Sequence, residues 1–324
     1  MPNYVDGLAS AYYNTSNINT SNIITPFRWM ERKMRIIHSL DEMTETARGW
    51  LAGGPVGFVP TSGRLHAGHL SLVQASRREC EITVVSIFPK DDHNARYQGA
   101  GLIYDLTRDV QLLDTAQVDV VFIPRPEEIY PPTLATYVMA SGPVLERLEC
   151  WCSRDGARYI ATVFTKLLQL IRPDIAYFGQ KSAPEVALFR RLIHDLCIDI
   201  SLRVLPTVRE SDGLALSSEN ALLSPAERQA APLLYRALLS AKALIEQGER
   251  RAALLQETMA RLISSSPLLR LEYTVICDPA TFVPLDPLPD LTSREGILLS
   301  VAASAGAARL ADTIQFTSDG YWLL

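Results

Sequence analysis

The sequence predicts an α/β protein, a doubly wound parallel sheet followed by a smaller α+β domain. Short apolar runs alternate with helical patterns from residue 34 to about 206, the signature of a parallel sheet with crossover helices. The run 82–88 is apolar nearly throughout, as expected of a strand covered on both faces. Beyond residue 224 long helical patterns come first and strands later, which is not a βαβ rhythm.

The elements follow in order. Strands are expected at 34–37, 56–60, 82–88, 118–123, 175–178 and 198–205, with helices at 39–51, 69–80, 106–115, 161–171 and 184–196 between them. Ser39 with Glu42 three residues on reads as a capping box, and so does Ser224-Pro225-Ala226-Glu227. The smaller domain should carry a helix over 225–247 and strands near 271–277 and 297–301. The expected organisation is a sheet domain over 34–206 and a lid domain over 207–324. Residues 1–33 include a polar Asn/Thr/Ser tract with little to bury and are expected to be a disordered extension, with Met34 a plausible start.

Composition narrows the function. With 324 residues, 48% hydrophobic and 21% charged, the chain has room for two globular domains. Its net charge of −5 provides no basic excess for a sequence-independent grip on nucleic acid. The five cysteines form no CxxC pair and no Cys/His cluster with metal spacing. Free thiols in a cytoplasmic protein are expected. No apolar run reaches membrane-spanning length and no signal peptide is visible.

Three segments carry chemistry. The first is T-S-G-R-L-H-A-G-H (61–69), directly after a strand. A helix start there would offer unpaired N–H groups to a phosphate, with Gly63 and Gly68 letting it approach the backbone. His66 and His69, three apart, could donate hydrogen bonds to phosphoryl oxygens as charge develops. The second is Gly179-Gln180-Lys181, at the end of another strand, where a lysine can meet a phosphate as a point charge. The third is Asp212-Gly213 followed by Ser217 and Ser218, a turn and a serine pair. The bland alternatives are a surface lysine and a helix cap.

In this order, these segments resemble the pantothenate synthetase family. The resemblance runs from about residue 34 to the C-terminus. V-G-F-V-P-T-S-G-R-L-H-A-G-H-L-S-L-V (56–73), V-V-S-I-F (84–88), K-L-L-Q-L-I-R-P-D (166–174), Y-F-G-Q-K (177–181), P-T-V-R-E-S-D-G-L-A-L-S-S-E-N (206–220), L-L-S-V-A-A (298–303) and R-L-A-D-T-I (309–314) carry it. The resemblance implies a Rossmann-like fold of the nucleotidyltransferase superfamily and a two-step reaction with ATP and Mg²⁺. A carboxylate is adenylated with release of pyrophosphate, and an amine then displaces AMP to form an amide. It also implies His66, His69 and Lys181 as catalytic groups. Pro60, Thr61, Ser62, Gly68, Gly179, Lys181, Ser217 and Ser218 would form the ATP site, and Asp109 is a weak candidate for Mg²⁺. A homodimer is expected, with small-molecule acid and amine substrates and neither nucleic acid nor membrane as a partner.

The departures cluster. The family's V-N-P-x-Q-F loop becomes Pro89-Lys90-Asp91-Asp92-His93-Asn94, and its G-E-K-D-Y-Q-Q becomes 179–185, so His93 and Glu185 stand where pantoate-holding glutamines are usual. The family's H-F-x-G-V becomes 156–160, with Tyr159 in place of glycine, and its S-S-R-N becomes Ser217-Ser218-Glu219-Asn220. His93, Glu185, Glu219 and Tyr159 are therefore the expected substrate-binding positions. Their change points to an amide ligase whose acid and amine are not pantoate and β-alanine. A true pantothenate synthetase, a nucleotidyltransferase that leaves the nucleotidyl group on its product, and an inactive homologue are the alternatives.

Overall fold

Six strands form one parallel sheet: Arg35–Ile37 (β1), Val56–Thr61 (β2), Ile82–Ile87 (β3), Val120–Phe122 (β4), Ile175–Gly179 (β5) and Ser201–Leu205 (β6). Their spatial order is β1-β4-β3-β2-β5-β6. The computed structural model describes residues 33–88, 105–141, 154–293 and 296–324. His93, the cysteine pair at 150 and 152, and all but Lys33 of the expected N-terminal extension lie outside them.

Period-two alternation explains why the central strands are buried on both faces. Phe58, Val84, Phe122, Ala176 and Phe178 pack into one core. Their neighbours Val59, Val85, Val121 and Tyr177 pack into another on the opposite side. Helices Leu40–Arg48 (α1), Ala67–Glu79 (α2), Leu106–Thr115 (α3), Pro126–Ile129 (α4), Arg154–Ile171 (α5) and Ala183–Asp195 (α6) connect the strands. The Ser39 hydroxyl caps α1 by accepting the Glu42 N–H at 3.1 Å. This helix ends at Arg48, and Gly49–Ala52 continues as a tighter 3₁₀ turn.

The strand order reverses between β2 and β5. The chain runs outward from β2 through β3 to β4, then returns to place β5 on the other side of β2. Pairing between β2 and β5 covers only Gly57–Ile175 and Phe58–Ala176. Beyond that point Val59–Thr61 and Tyr177–Gly179 have no mutual ladder, so a crevice opens at the carboxyl ends of the two strands. Open α/β sheets bind ligands at such a switch point.

The C-terminal part contains helices Pro225–Ala230 (α7), Leu233–Glu246 (α8) and Ala252–Ile263 (α9) and an antiparallel sheet of Arg270–Cys277 (β7), Ile297–Ala305 (β8), Ala308–Phe316 (β9) and Trp322–Leu323 (β10). The single helix expected over 225–247 is two helices. Pro232 has no N–H to continue the ladder, so the chain breaks there. Apolar side chains of α8 and α9, among them Leu238, Ile245, Leu255 and Met259, form one core with Ile297, Leu299, Val301 and Ile314 of the sheet.

Strand β9 holds the rest of the molecule in register. Thr313 Oγ1 donates to the Gln180 carbonyl at 2.8 Å, and the Gln180 amide donates to the Leu323 carbonyl at 3.1 Å. Asp312 accepts a two-pronged grip from Arg209, at 2.6 and 3.0 Å. Arg209 sits at the base of a hairpin whose turn needs Gly213, at φ +95°. The guanidinium also lies over the Tyr235 ring, 3.7 Å from its centre. The Arg209 and Asp312 side chains are only 11% and 4% exposed, so neither charge has water to fall back on. Removing one partner of such a buried pair is costly, and Arg209→Ala should lower unfolding free energy by about 3–5 kcal/mol. Chemical denaturation followed by circular dichroism measures it.

Candidate active site

The first catalytic segment is a tightly closed turn. Gly63 and Arg64 both adopt positive φ, +80° and +56°. This bend turns the N–H groups of the next two positions, Arg64 and Leu65, into one hollow. The Asp109 carboxylate fills that hollow, accepting Arg64 N–H at 2.6 Å and Leu65 N–H at 2.8 Å. Asp109 comes from α3 and is fully buried. Its expected role as a metal ligand is therefore corrected: both carboxylate oxygens are committed to holding the turn, and Asp109 does not line the cleft. Among the described residues no group of three His, Cys, Asp or Glu could hold a metal ion.

The two histidines cap the helix that follows. His66 is the N-cap of α2, not a residue on its face. Its Nδ1 accepts the Gly68 N–H at 3.1 Å, while His69 Nδ1 accepts the His66 N–H at 3.3 Å. The rings lie against each other, with centroids 4.1 Å apart. With both Nδ1 atoms used as acceptors, a neutral ring keeps its proton on Nε2. Burial, assisted by the Lys181 charge, lowers the His66 pKa from 6.5 to about 4. His66 is therefore neutral near pH 7, the form this geometry requires.

This arrangement corrects the expectation that the turn binds phosphate through its backbone. Gly63 N–H donates to Thr61 Oγ1, those of Arg64 and Leu65 to Asp109, and those of His66 and Gly68 to the histidine rings. The donors are consumed internally. Gly68 is required for another reason: a Cβ there would lie 2.9 Å from the His66 ring. The space a side chain would take is filled by imidazole.

A cleft of about 590 Å³ opens over this turn at the switch point. Pro60, Thr61, Ser62, His66, Gly68 and His69 line one side, and Gly179 and Lys181 another. Thr61 contributes mostly as a brace, since its hydroxyl donates to the Ser86 carbonyl at 2.7 Å. A Cβ on Gly179 would meet nothing within 4 Å, so the backbone there is open to a ligand. Ser217 and Ser218 line the cleft at the start of the 3₁₀ turn Ser218–Leu222, with Ser217 Oγ accepting the Glu219 N–H at 3.3 Å. All the expected ATP-site residues thus share one cavity.

Three of the four expected substrate positions line it too: Tyr159, Glu185 and Glu219. Around Glu185 the wall is apolar, built from Phe164, Phe178 and Phe189, with Phe164 and Phe189 stacked at 3.7 Å. Glu219 differs from expectation. Its Oε2 accepts the backbone N–H of Arg309 at 2.9 Å, so the carboxylate is at least partly engaged by the protein itself. Sequence reading also missed lining residues, notably Arg64, Val208, Arg309 and Ala311. Arg309 lies in R-L-A-D-T-I (309–314), a segment noted for its resemblance but given no role, because nothing local places it near a serine pair ninety positions earlier.

The profile of the Pantoate-beta-alanine ligase family matches residues 35–315. The chain belongs to this family. It is 41% identical to the pantothenate synthetase of Thermosipho africanus over 290 residues, covering 87% of this chain and 99% of that one. With the pantothenate synthetase of Chloroflexus aggregans it shares 42% over 287 residues, 86% and 98% of the two chains. The crystal structure of pantothenate synthetase from Thermus thermophilus superposes with a TM-score of 0.75 at 36% identity, over 86% of this chain and 98% of that one. The Francisella tularensis pantoate-β-alanine ligase, solved with β,γ-ATP and β-alanine, gives a TM-score of 0.67 at 26% identity, over 89% and 98%. Family members are ATP-dependent ligases that form C–N bonds, and this chain is such a ligase. Among the described residues no helix is long and apolar enough to cross a membrane.

Two measurements test the site. Asp109→Ala strands two buried N–H donors, each worth about 1–3 kcal/mol. It should destabilise the fold in urea titration and abolish ATP-dependent activity, while Asp109→Asn, retaining one acceptor, should do both to a lesser degree. The second concerns pH. His66 has its pKa lowered from 6.5 to about 4, so the unfolded chain binds more protons than the folded one in that interval. The His66 contribution to stability is complete above pH 6.5 and is lost as pH falls toward about 4. His66→Asn keeps an N-cap acceptor and should flatten that part of the melting temperature against pH.

Proposed function

We propose that the chain is a pantothenate synthetase: it adenylates pantoate with ATP and transfers the acyl group to β-alanine. The observation that carries this reading is the histidine pair, tied back through Nδ1 and lining the switch-point cleft together with Lys181. The names of relatives about 40% identical over nearly their full lengths support the choice of substrates.

The chemistry follows from the placement. A carboxylate oxygen of the acid attacks the α-phosphorus of ATP, and the bond to the pyrophosphate oxygen breaks. Negative charge grows on the equatorial and leaving oxygens. His66 and His69 Nε2–H groups donate to these oxygens, Lys181 balances their charge, and Ser217 and Ser218 hold the triphosphate. Fixed donors of this kind act without reorganising as charge develops. The amine then attacks the acyl carbon and expels AMP. Mg²⁺ is ordinarily bound through substrate phosphates with few protein ligands, and the described residues supply no cluster for it. A homodimer in the cytoplasm, without nucleic-acid or membrane partners, completes the proposal.

The expectation of different substrates rested on changes at His93, Glu185, Glu219 and Tyr159. His93 lies outside the described residues, and Glu219 is engaged by the Arg309 backbone. Glu185 and Tyr159 remain, both lining the cleft, and they favour a second reading in which the acid differs from pantoate.

Purified protein with ATP, pantoate and β-alanine should release AMP and form pantothenate, followed by mass spectrometry. No pantothenate, together with adenylation of another acid from a panel, would establish the second reading. His66→Ala or His69→Ala should slow adenylation by roughly a hundredfold or more while weakening ATP binding far less. Normal adenylation in both variants would remove the histidines from the mechanism.

A further inference from the structure

The serine pair stands on a short 3₁₀ turn, an element with few hydrogen bonds of its own. A hydrogen bond ties it to the far end of the chain: Glu219 Oε2 accepts the Arg309 N–H at 2.9 Å. The neighbouring Asn220 amide donates to the Ala215 carbonyl at 3.0 Å, closing the turn back on its own hairpin. Glu219 is thus a polar link from the turn to the C-terminal sheet.

The recipient strand explains the importance of this link. Three positions of β9 each hold a different part of the cleft. Arg309 holds the serine turn through Glu219, Asp312 holds the hairpin base through Arg209, and Thr313 holds the lysine turn through the Gln180 carbonyl. Register along one strand is fixed by its ladder with β8. The spacing between Lys181 and the two serines is therefore set by β9, provided Glu219 stays attached.

We propose that Glu219 is a positioning residue for the nucleotide site: its carboxylate latches the serine turn to β9 and so presets Ser217 and Ser218 for the triphosphate. This rests on the proposed function and deepens it, and it departs from the expectation that Glu219 binds substrate. The backbone N–H asks only for an acceptor. Glutamine can supply one and alanine or arginine cannot.

The test compares Glu219→Gln, Glu219→Ala and Glu219→Arg with the parent. Binding of a non-hydrolysable ATP analogue is read by calorimetry, which needs neither acid nor amine, and KM for ATP and for β-alanine are read separately. Losing one preorganising hydrogen bond is worth about tenfold. Ala and Arg should raise the Kd of the analogue and the KM for ATP by about that factor, with KM for β-alanine unchanged, and Gln should remain within about threefold of the parent. Equal analogue binding in all four proteins overturns the latch, as does Gln falling as far as Ala, because the charge and not the acceptor would then matter. A shift confined to KM for β-alanine also overturns it and returns Glu219 to the amine pocket. If the parent itself fails to bind the analogue, the proposed function fails, and the latch with it.

Discussion

The geometry of the site depends on a buried carboxylate that touches no ligand. Asp109 projects from α3 into the hollow beneath residues 63–65 and takes two backbone N–H groups that no other group satisfies. Without it, two consecutive residues at positive φ would carry both strain and unpaired donors. With it, the strand leaves β2, reverses within four residues, and delivers His66 as a helix cap. The catalytic donors then follow. Each imidazole is fixed at Nδ1 by the backbone, so the orientation of its ring is set by helix geometry.

The cleft exists because two strands part company. β2 and β5 share only two register pairs before diverging. The fold therefore creates an opening at the one place where the histidine turn and the lysine turn both emerge. The second sheet completes the site from above: β9 supports the lysine turn, the hairpin base and the serine turn by three separate contacts. Residues from distant parts of the chain are brought to one cavity through a rigid strand.

The substitutions that set this chain apart need this context to be weighed. Glu219 reverses a charge when read as a letter in S-S-E-N. In the folded chain its oxygen meets a backbone N–H, where an arginine could not serve. Glu185 lines the cleft, as do Phe164, Phe178 and Phe189. Equal changes in charge thus have different meanings, decided by what each side chain reaches.

Much was legible in the sequence alone. Strand–helix alternation, the apolar run at 82–88 and the Asp212-Gly213 turn depend on local periodicity and backbone preference, which travel with the residues. The residues that the family resemblance assigned to ATP were visible as contiguous motifs, and they line one cleft. Tertiary structure decided what local patterns cannot encode. It set the division of the helix at Pro232 and the full length of β9. It also moved Asp109 from a suspected metal site to the floor of the turn. Turn N–H groups that looked free were already bonded, because their acceptors come from another helix or from a ring folded back upon them. Arg309 entered the site through strand register over ninety residues, a separation at which sequence carries no distance. Hydrogen-bond donors and charges gain their roles from partners, and only the folded chain supplies them.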